Sequence, residues 1–317
     1  MGRIRFVAIL ACATLALTSA SQAADAAEAS RDTVIYYQKA KGFWHIRLRT
    51  DVSGSGLAFI GDTQDGGYLD LTTRSDSRIK QNIGLGIGPV MLNAGFSLNG
   101  KKPDGEFAVT SFGKYLSFHM GYSYSRSLSG TGIMNRSTEL NIPSGALFHN
   151  AFQARLCYAV NGKRFSFPAA MNQSYIQKRS AGSLLIGVNA MAMGASSKPD
   201  GGWTMSDLDL DNINIGVGLG YGYNLVPFER MLIHASLLVS PSVFNKTWIS
   251  TGGPKESLTG SVSMSFLGNF AAVYHFRKSC YIGAFASFND LITVGDFADY
   301  AFKHMKSEAH IAVGFRF

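Results

Sequence analysis

The last nine residues, Ala309-His310-Ile311-Ala312-Val313-Gly314-Phe315-Arg316-Phe317, decide the fold class. Ile311, Val313, Phe315 and Phe317 share one parity, while small or polar residues hold the other. Alternation of this kind, repeated in segments of about ten residues, is typical of strands that face lipid on one side and a lumen on the other. The chain end therefore predicts an all-β protein, an antiparallel transmembrane β-barrel of the outer-membrane type.

The same alternation recurs along the rest of the chain, where one parity is apolar and the other small or polar. Together the segments predict about twelve strands. They cover residues 43–50, 83–87, 92–98, 116–125, 152–160, 184–190, 213–223, 231–239, 262–276, 280–288 and 309–317, with a weaker candidate within 56–73.

Three charged or polar residues share one face of the first predicted strand. His45, Arg47 and Arg49 share the face opposite Trp44, Ile46 and Leu48. Because a lipid-facing charge costs about 2–4 kcal/mol at membrane depth, this face requires a wet interior. We therefore predict that His45, Arg47 and Arg49 line the lumen.

The connections predict the orientation of the barrel. Placing the C-terminus in the periplasm puts the short turns 224–230 and 277–279 on that side. Long connections would then lie outside the cell, as is usual for such barrels. They are residues 126–147, 193–211, 241–260 and 289–308.

The N-terminus reads as a secretory signal. Arg3 and Arg5 precede an apolar run over 6–17, and Ser21-Gln22-Ala23 offers small residues for cleavage. The expected organisation is a signal peptide at 1–23, a periplasmic segment at 24–42 and the barrel at 43–317, located in the cell outer membrane. Phe315 and Phe317 are the expected assembly signal for the barrel-insertion machinery, by resemblance to outer-membrane proteins.

Composition supports a membrane barrel and argues against other classes. Of 317 residues, 46% are apolar and only 16% charged, and 35 are glycine, which is unusual for a soluble enzyme. The chain is basic, but it shows no clustered basic face for nucleic acid, so the expected partners are outer-membrane lipids, through their phosphates, or anionic solutes. The histidine and cysteine spacing predicts no metal site and no cofactor. The residues give no indication of an oligomeric state.

One connection breaks the rule of short periplasmic turns. Residues 161–180, with the following 181–185, resemble the most characteristic stretch of an uncharacterised Bacteroidota barrel family, domain of unknown function 4421, and the resemblance extends from about residue 32 to the end. It implies an outer-membrane barrel with no known activity. The residues that carry it, and that form a candidate plug, are Lys163, Arg164, Phe165, Phe167, Pro168, Gln173, Ser174, Tyr175, Gln177, Lys178, Arg179 and Ser180.

This segment is too apolar for a free periplasmic loop, so it is expected to pack on the barrel. One alternative is a structural closure folded under the barrel mouth. The other is insertion into the lumen as a constriction whose cations favour anions.

The leading functional hypothesis is a barrel with a narrow or plugged lumen that serves membrane structure or passive, porin-like transport. One alternative is a lipid-modifying or proteolytic barrel enzyme that uses His45, His119 or His275 with strand serines. Another is a surface adhesin that displays 126–147 and 241–260.

Overall fold

The computed structural model describes residues 35–62, 67–75, 78–97, 104–197, 207–258, 262–277, 279–295 and 300–317. The predicted signal peptide and residues 24–34 of the predicted periplasmic segment lie outside this part of the chain. Twelve antiparallel strands form a closed ring. They are β2 (Trp44–Asp62), β4 (Arg78–Ile87), β5 (Val90–Ser97), β6 (Gly105–Phe112), β7 (Leu116–Met134), β8 (Thr138–Ala159), β10 (Ala181–Ser197), β11 (Leu208–Phe228), β12 (Met231–Thr251), β14 (Val262–Arg277), β15 (Cys280–Val294) and β16 (Tyr300–Arg316).

Four short connections lie at one end of the ring, here called the turn end. They join β4 to β5, β6 to β7, β11 to β12 and β14 to β15. At the opposite end, called the far end, β3 (Tyr68–Ser75) pairs with both β2 and β7, and β13 (Glu256–Leu258) pairs with β12. Inside the turn end lie α1 (Phe167–Met171) and a two-stranded sheet of β1 (Tyr37–Lys39) and β9 (Tyr175–Gln177). Among the described residues, no helix is long and apolar enough to cross a membrane.

The ring closes where the first and last strands meet. Strand β16 pairs with β2 from Tyr300↔Gly61 to Arg316↔His45, so the sheet has no free edge at this seam. The backbone N–H groups of Phe43 and Trp44 both donate to the Phe317 carbonyl oxygen, at 3.0 Å each. Gly42 permits this approach, because its φ of 100° suits glycine and an added Cβ would collide with Phe317 N.

The predicted number of twelve ring strands is confirmed, but one predicted strand was wrong. Residues 56–73 do not add a ring strand, because they form the far half of β2 and most of β3. The ring strand missing from the prediction is β6, which pairs with β5 and β7. Its alternation is weak because Phe107 and Val109 are the only large apolar residues on one parity, whereas Phe112 lies on the other, inward parity.

An apolar belt surrounds the ring on its outer face. On β11 the exposed residues run from Ile213 through Ile215, Val217 and Leu219 to Tyr223 and Leu225. The twelve steps from Ile213 to Leu225, at about 3.3 Å each and a tilt of about 40°, cover about 30 Å, enough for the apolar band of an outer-membrane barrel. This belt identifies the fold as a transmembrane β-barrel.

Beyond the belt, the strands continue with their polarity inverted. Leu208 and Leu210 point inward and are buried, whereas Asp209 on the same strand points outward and contacts Lys255, with 2.9 Å between Lys255 Nζ and Asp209 Oδ2. Two residues further on, buried Asn212 points inward and exposed Ile213 outward. The far end is therefore built like a water-soluble β-protein, apolar inside and polar outside.

This inversion corrects the four predicted long connections. Most of 126–147 belongs to β7 and β8, and only 135–137 connects them. Strands β10, β11, β12, β15 and β16 likewise extend into 193–211, 241–260 and 289–308. The prediction was wrong because it required the apolar residues of a strand to face outward along its whole length. At the far end the alternation continues, but the apolar residues face inward.

Candidate functional site

The turn end of the lumen is filled by residues 161–180. Phe165, Pro168, Ala169, Gln173 and Gln177 of this segment are buried. Its helix α1 starts at the N-cap Ser166, whose hydroxyl accepts from Ala169 N at 3.2 Å, and Pro168 suits the first helical turn. The segment is called the plug below.

The plug is organised around the amide of Gln177. Its Oε1 accepts from Ser166 N at 3.1 Å and from Asn224 Nδ2 at 3.0 Å. Its Nε2 donates to the carbonyl oxygens of Arg164, at 2.7 Å, and Arg179, at 2.9 Å. Because the amide is satisfied on both sides, it fixes one conformation of the plug and ties it to β11.

Wall residues hold the plug through further polar contacts. Arg47 Nη1 donates to the Met171 carbonyl oxygen at 3.0 Å, while Arg47 Nη2 donates to Asn93 Oδ1 at 2.9 Å. Asn172 Nδ2 donates to the Pro89 carbonyl oxygen at 3.1 Å. The Arg47 guanidinium therefore binds the C-terminal end of α1.

Aromatic and small residues complete the seal. The rings of Phe165 and Phe167 pack around His234, with centroids 5.9 and 5.4 Å from its ring. Gly222 makes room for Phe165, whose Cζ would lie 2.9 Å from a Cβ added there. Ala169 and Ala170 pack on inward apolar residues of the neighbouring strands, which are Leu232, Ala271, Val273, Tyr281, Phe285 and Ala312.

The N-terminal strand β1 also belongs to this closure. It pairs with β9 of the plug from Tyr37↔Gln177 to Lys39↔Tyr175. Ala40 N donates to the Ser174 carbonyl oxygen, and Val226 N of β11 donates to Ser180 Oγ, both at 2.9 Å. The plug is thus fixed to the chain segment before the ring as well as to the wall.

The plug cations lie on the outside of the seal. Lys163, Arg164, Lys178 and Arg179 are all exposed, and none borders the central cavity described below. Arg164 lies over the ring of Tyr36, 5.3 Å from its centroid. The plug therefore enters the lumen, but its charges do not line a constriction.

A second closure occupies the far end. Inward side chains of the extended strands form one apolar cluster, and Leu128, Leu147 and Leu291 at its centre have no exposed surface. The other members are Leu57, Phe59, Leu69, Leu71, Leu140, Ile142, Ala146, Ala151, Met191, Met193, Ala195, Leu208, Leu210, Ile249, Leu258, Tyr300 and Phe302. This cluster is called the far-end core.

Between the two closures lies an ion-pair network centred on Arg49. A single nitrogen, Arg49 Nη2, lies 2.6 Å from Glu106 Oε1, 2.9 Å from Asp51 Oδ2 and 3.2 Å from Glu308 Oε1. Lys80 Nζ and Lys306 Nζ each lie 3.8 Å from Glu106 Oε2. The network cross-links β2, β4, β6 and β16 inside the membrane-spanning part of the ring.

Two carboxylates of this network and the neighbouring His310, whose Nδ1 lies 3.3 Å from Glu308 Oε1, also have the composition of a metal site. One ligand atom from each of Asp51, Glu308 and His310 lies within 4.8 Å of the others. Arg49 already supplies positive charge to both carboxylates, and a divalent cation beside its guanidinium would be repelled. The arrangement is therefore best described as an ion-pair network.

A cavity of about 210 Å³ lies between the plug and the far-end core. Phe167 and Met171 of the plug form part of one boundary, and Ala151 and Met191 of the far-end core form part of the other. Its polar lining includes Arg49, Glu106, His119, Gln153, Arg155, Lys306, Glu308 and His310, and its apolar lining includes Leu185, Leu238, Leu267 and Phe285.

The histidines considered as catalytic candidates do not form one site. His45 Nε2 lies 2.9 Å from the Tyr281 hydroxyl, and the His275 ring lies 6.0 Å from the Tyr281 ring. His119 instead pairs across strands with Arg155. Within the described part of the chain, no serine hydroxyl hydrogen-bonds to any of these three histidines.

The remaining sequence candidates have clear positions. Phe315 and Phe317 are exposed on the lipid-facing side at the turn end. Cys157 and Cys280 are free thiols, and Cys157 is buried. Sequence reasoning missed Asn224, Arg155, Glu106 and Glu308. Their positions on the inward parity of their strands were the available signal.

Comparisons with solved structures return outer-membrane barrels. The outer-membrane protease OmpT of Escherichia coli aligns with a TM-score of 0.43 and 9% identity, over 90% of this chain and 99% of that chain. The P. putida toluene transporter TodX aligns with a TM-score of 0.31 and 11% identity, over 87% and 90%. The translocator domain of the autotransporter NalP of Neisseria meningitidis aligns with a TM-score of 0.33 and 11% identity, over 97% of both chains.

A comparison with curated proteins finds no significant match. The family model described as Domain of unknown function (DUF4421) matches residues 30–317, nearly the whole of the chain. The protein is therefore a member of the DUF4421 family.

Proposed function

We propose that this protein is a plugged barrel of the Gram-negative outer membrane that serves membrane structure or passive transport and does not conduct in its resting state. An N-terminal signal peptide exports it, and insertion machinery recognises Phe315 and Phe317 at the end of β16. The turn end faces the periplasm and the far end faces outward, with outer-membrane lipids around the apolar belt.

The observation that carries this proposal is the double closure of the lumen. The plug blocks the turn end through buried hydrogen bonds at Gln177, Asn224 and Arg47. The far-end core blocks the other end with side chains of the strands themselves. Twelve strands lie between the filled interior of an eight-stranded barrel and the open channel of a porin, so closure depends on what fills the lumen.

The enzymatic alternative has less support. A barrel hydrolase needs a nucleophile with a base in hydrogen-bond reach. His45 and His275 contact Tyr281, and His119 lies beside Arg155, so these histidines are already engaged with groups other than a serine.

Single-channel recordings on the refolded mature barrel in planar bilayers test the proposal. We expect no stable conductance from the wild type, and none from a variant lacking 163–179, because the far-end core remains. A stable current from the wild type would contradict the plugged barrel. A current that appears only after the deletion would show that the far-end core does not seal, and that the plug alone gates a pore.

A further inference from the structure

One cationic side chain at the central cavity, Arg155, has no partner in the ion-pair network. Arg49, Lys80 and Lys306 contact the carboxylates of Asp51, Glu106 and Glu308. Arg155 also borders the cavity, on β8. Across the described ranges of the chain, no carboxylate lies within ion-pair distance of the Arg155 guanidinium, and its Nε is buried without a hydrogen-bond acceptor.

Other unused donors lie around Arg155. Gln153, two residues earlier on the same face of β8, has a buried Nε2 without a partner. His119 lies directly opposite Arg155 on β7 and borders the same cavity. A guanidinium and a side-chain amide that both lack acceptors call for an acceptor-rich group, and a carboxylate offers two oxygens and no donor.

Another part of the cavity wall is apolar. Leu185, Leu238 and Leu267 are 2%, 4% and 1% exposed, and they border the cavity together with Phe167 and Phe285. A volume of about 210 Å³ has room for a chain of several carbon atoms. This suits a short aliphatic tail better than a multiply charged anion, which would leave the apolar wall without a partner.

We propose that the cavity binds a medium-chain aliphatic monocarboxylate, with its carboxylate at Arg155, Gln153 and His119 and its tail against Leu185, Leu238 and Leu267. This inference rests on the cavity alone and holds whether or not the plug moves. It adds a ligand class to the proposed plugged barrel.

Binding of carboxyl-labelled octanoate to the full barrel in nanodiscs tests the proposal, with empty nanodiscs as the partition blank. The probe is added both to the folded barrel and during refolding, so that slow passage into the closed lumen is separated from lack of affinity. Saturable binding by the wild type is expected. Arg155→Gln should weaken it by about tenfold or more, as for loss of a buried charge-assisted hydrogen bond.

Ligands that share the octyl tail but differ in the head group, and a control variant, test whether the carboxylate is recognised. Octanol carries the same tail without the acid, and octylammonium carries the opposite charge, so both should bind at least about tenfold more weakly than octanoate to the wild type. Arg136→Gln removes an exposed arginine whose Nη2 lies 3.0 Å from Asp62 Oδ1 and should leave octanoate binding unchanged. The ligand comparison needs no variant, so it decides the question even if Arg155→Gln fails to fold.

Three results would overturn the proposal. The first is octanoate binding no greater than in empty nanodiscs under both loading conditions. The second is equal affinity for octanoate and octanol, which would make the site a simple apolar void. The third is equal octanoate affinity in the wild type and in folded Arg155→Gln, which would place the carboxylate elsewhere.

Discussion

The membrane-spanning part of the lumen and the far-end core lie on the same strands but have opposite chemistry. In the spanning part, Arg49, Asp51 and Glu308 point inward while apolar residues face lipid. At the far end, Leu140 and Ile142 point inward while Glu139 is exposed. Alternation of apolar and polar residues therefore identifies a strand. Which face carries the apolar residues shows whether lipid or water lies outside that part of the ring.

The two closures differ in how they are attached. The plug is an inserted segment held by side-chain and backbone hydrogen bonds, so it could leave the lumen without unpairing the ring. The far-end core consists of strand side chains, and removing it requires the strands themselves to separate. A transport step would therefore begin at the plug, and the far-end core would have to open by a larger rearrangement.

The largest effect is expected in the spanning part of the lumen. Arg49→Met should lower the free energy of unfolding by about 3–5 kcal/mol, because it leaves Asp51 and Glu308 buried without their guanidinium. Urea unfolding of the barrel in lipid vesicles measures this. Arg136→Met is the exposed control and should change little. Equal effects of the two changes would mean that the Arg49 network is hydrated rather than buried.

The next largest effect on the free energy of unfolding is expected from a substitution that creates a cavity in the far-end core. Leu128→Ala removes a side chain with no exposed surface and should cost about 2–5 kcal/mol. Ile133→Ala on the same strand is the control, because Ile133 is 40% exposed on the outer face. The same unfolding assay applies. If Ile133→Ala cost as much as Leu128→Ala, the far end would not have the inverted polarity described here.

Loosening the plug should have a smaller and more local effect. Gln177→Ala leaves Ser166 N and Asn224 Nδ2 without this acceptor, at about 1–3 kcal/mol for a group left unpaired. The exposed plug cations are trypsin sites, so cleavage at Lys178 or Arg179 should become faster while the ring stays folded. Gln81→Ala, on the outer face of β4, is the control. Unchanged cleavage in Gln177→Ala would show that the amide does not hold the plug.

The smallest effect is expected at the outer surface of the far end. Lys255 contacts Asp209 and Asp211, and all three side chains are at least a third exposed. Lys255→Met should therefore change the unfolding free energy by less than about 1 kcal/mol, and less still in high salt. A loss comparable to that of Leu128→Ala would mean that this surface pair, rather than the apolar interior, holds the far end together.

Much of the ring could be predicted from sequence, because lipid on one side imposes a strict alternation on segments such as 213–223. The prediction that His45, Arg47 and Arg49 line the lumen rests on the same rule. The far halves of the strands could not be found by that rule, since Leu208-Asp209-Leu210-Asp211 is followed by Asn212-Ile213-Asn214-Ile215 with the apolar parity exchanged.

The interior site was less predictable because it depends on contacts between distant strands. Glu106 lies 57 residues from Arg49, and Asn224 lies 47 residues from Gln177. Each is a single polar residue on an inward face, and nothing in the local pattern indicates its partner. The unpaired state of Arg155 likewise becomes visible only when the carboxylates have been assigned to other cations.

The central claim is that the lumen is closed at both ends, and thiol labelling tests it most directly. Ser287 borders the cavity and keeps part of its surface exposed, so a cysteine there reports access rather than tight packing. In a mature barrel with Cys157→Ser and Cys280→Ser, Ser287→Cys should react with a charged, membrane-impermeant thiol reagent at least about a hundredfold more slowly than Ser137→Cys at the exposed 135–137 connection. Reaction within a few-fold of that control would show an open lumen and contradict the account.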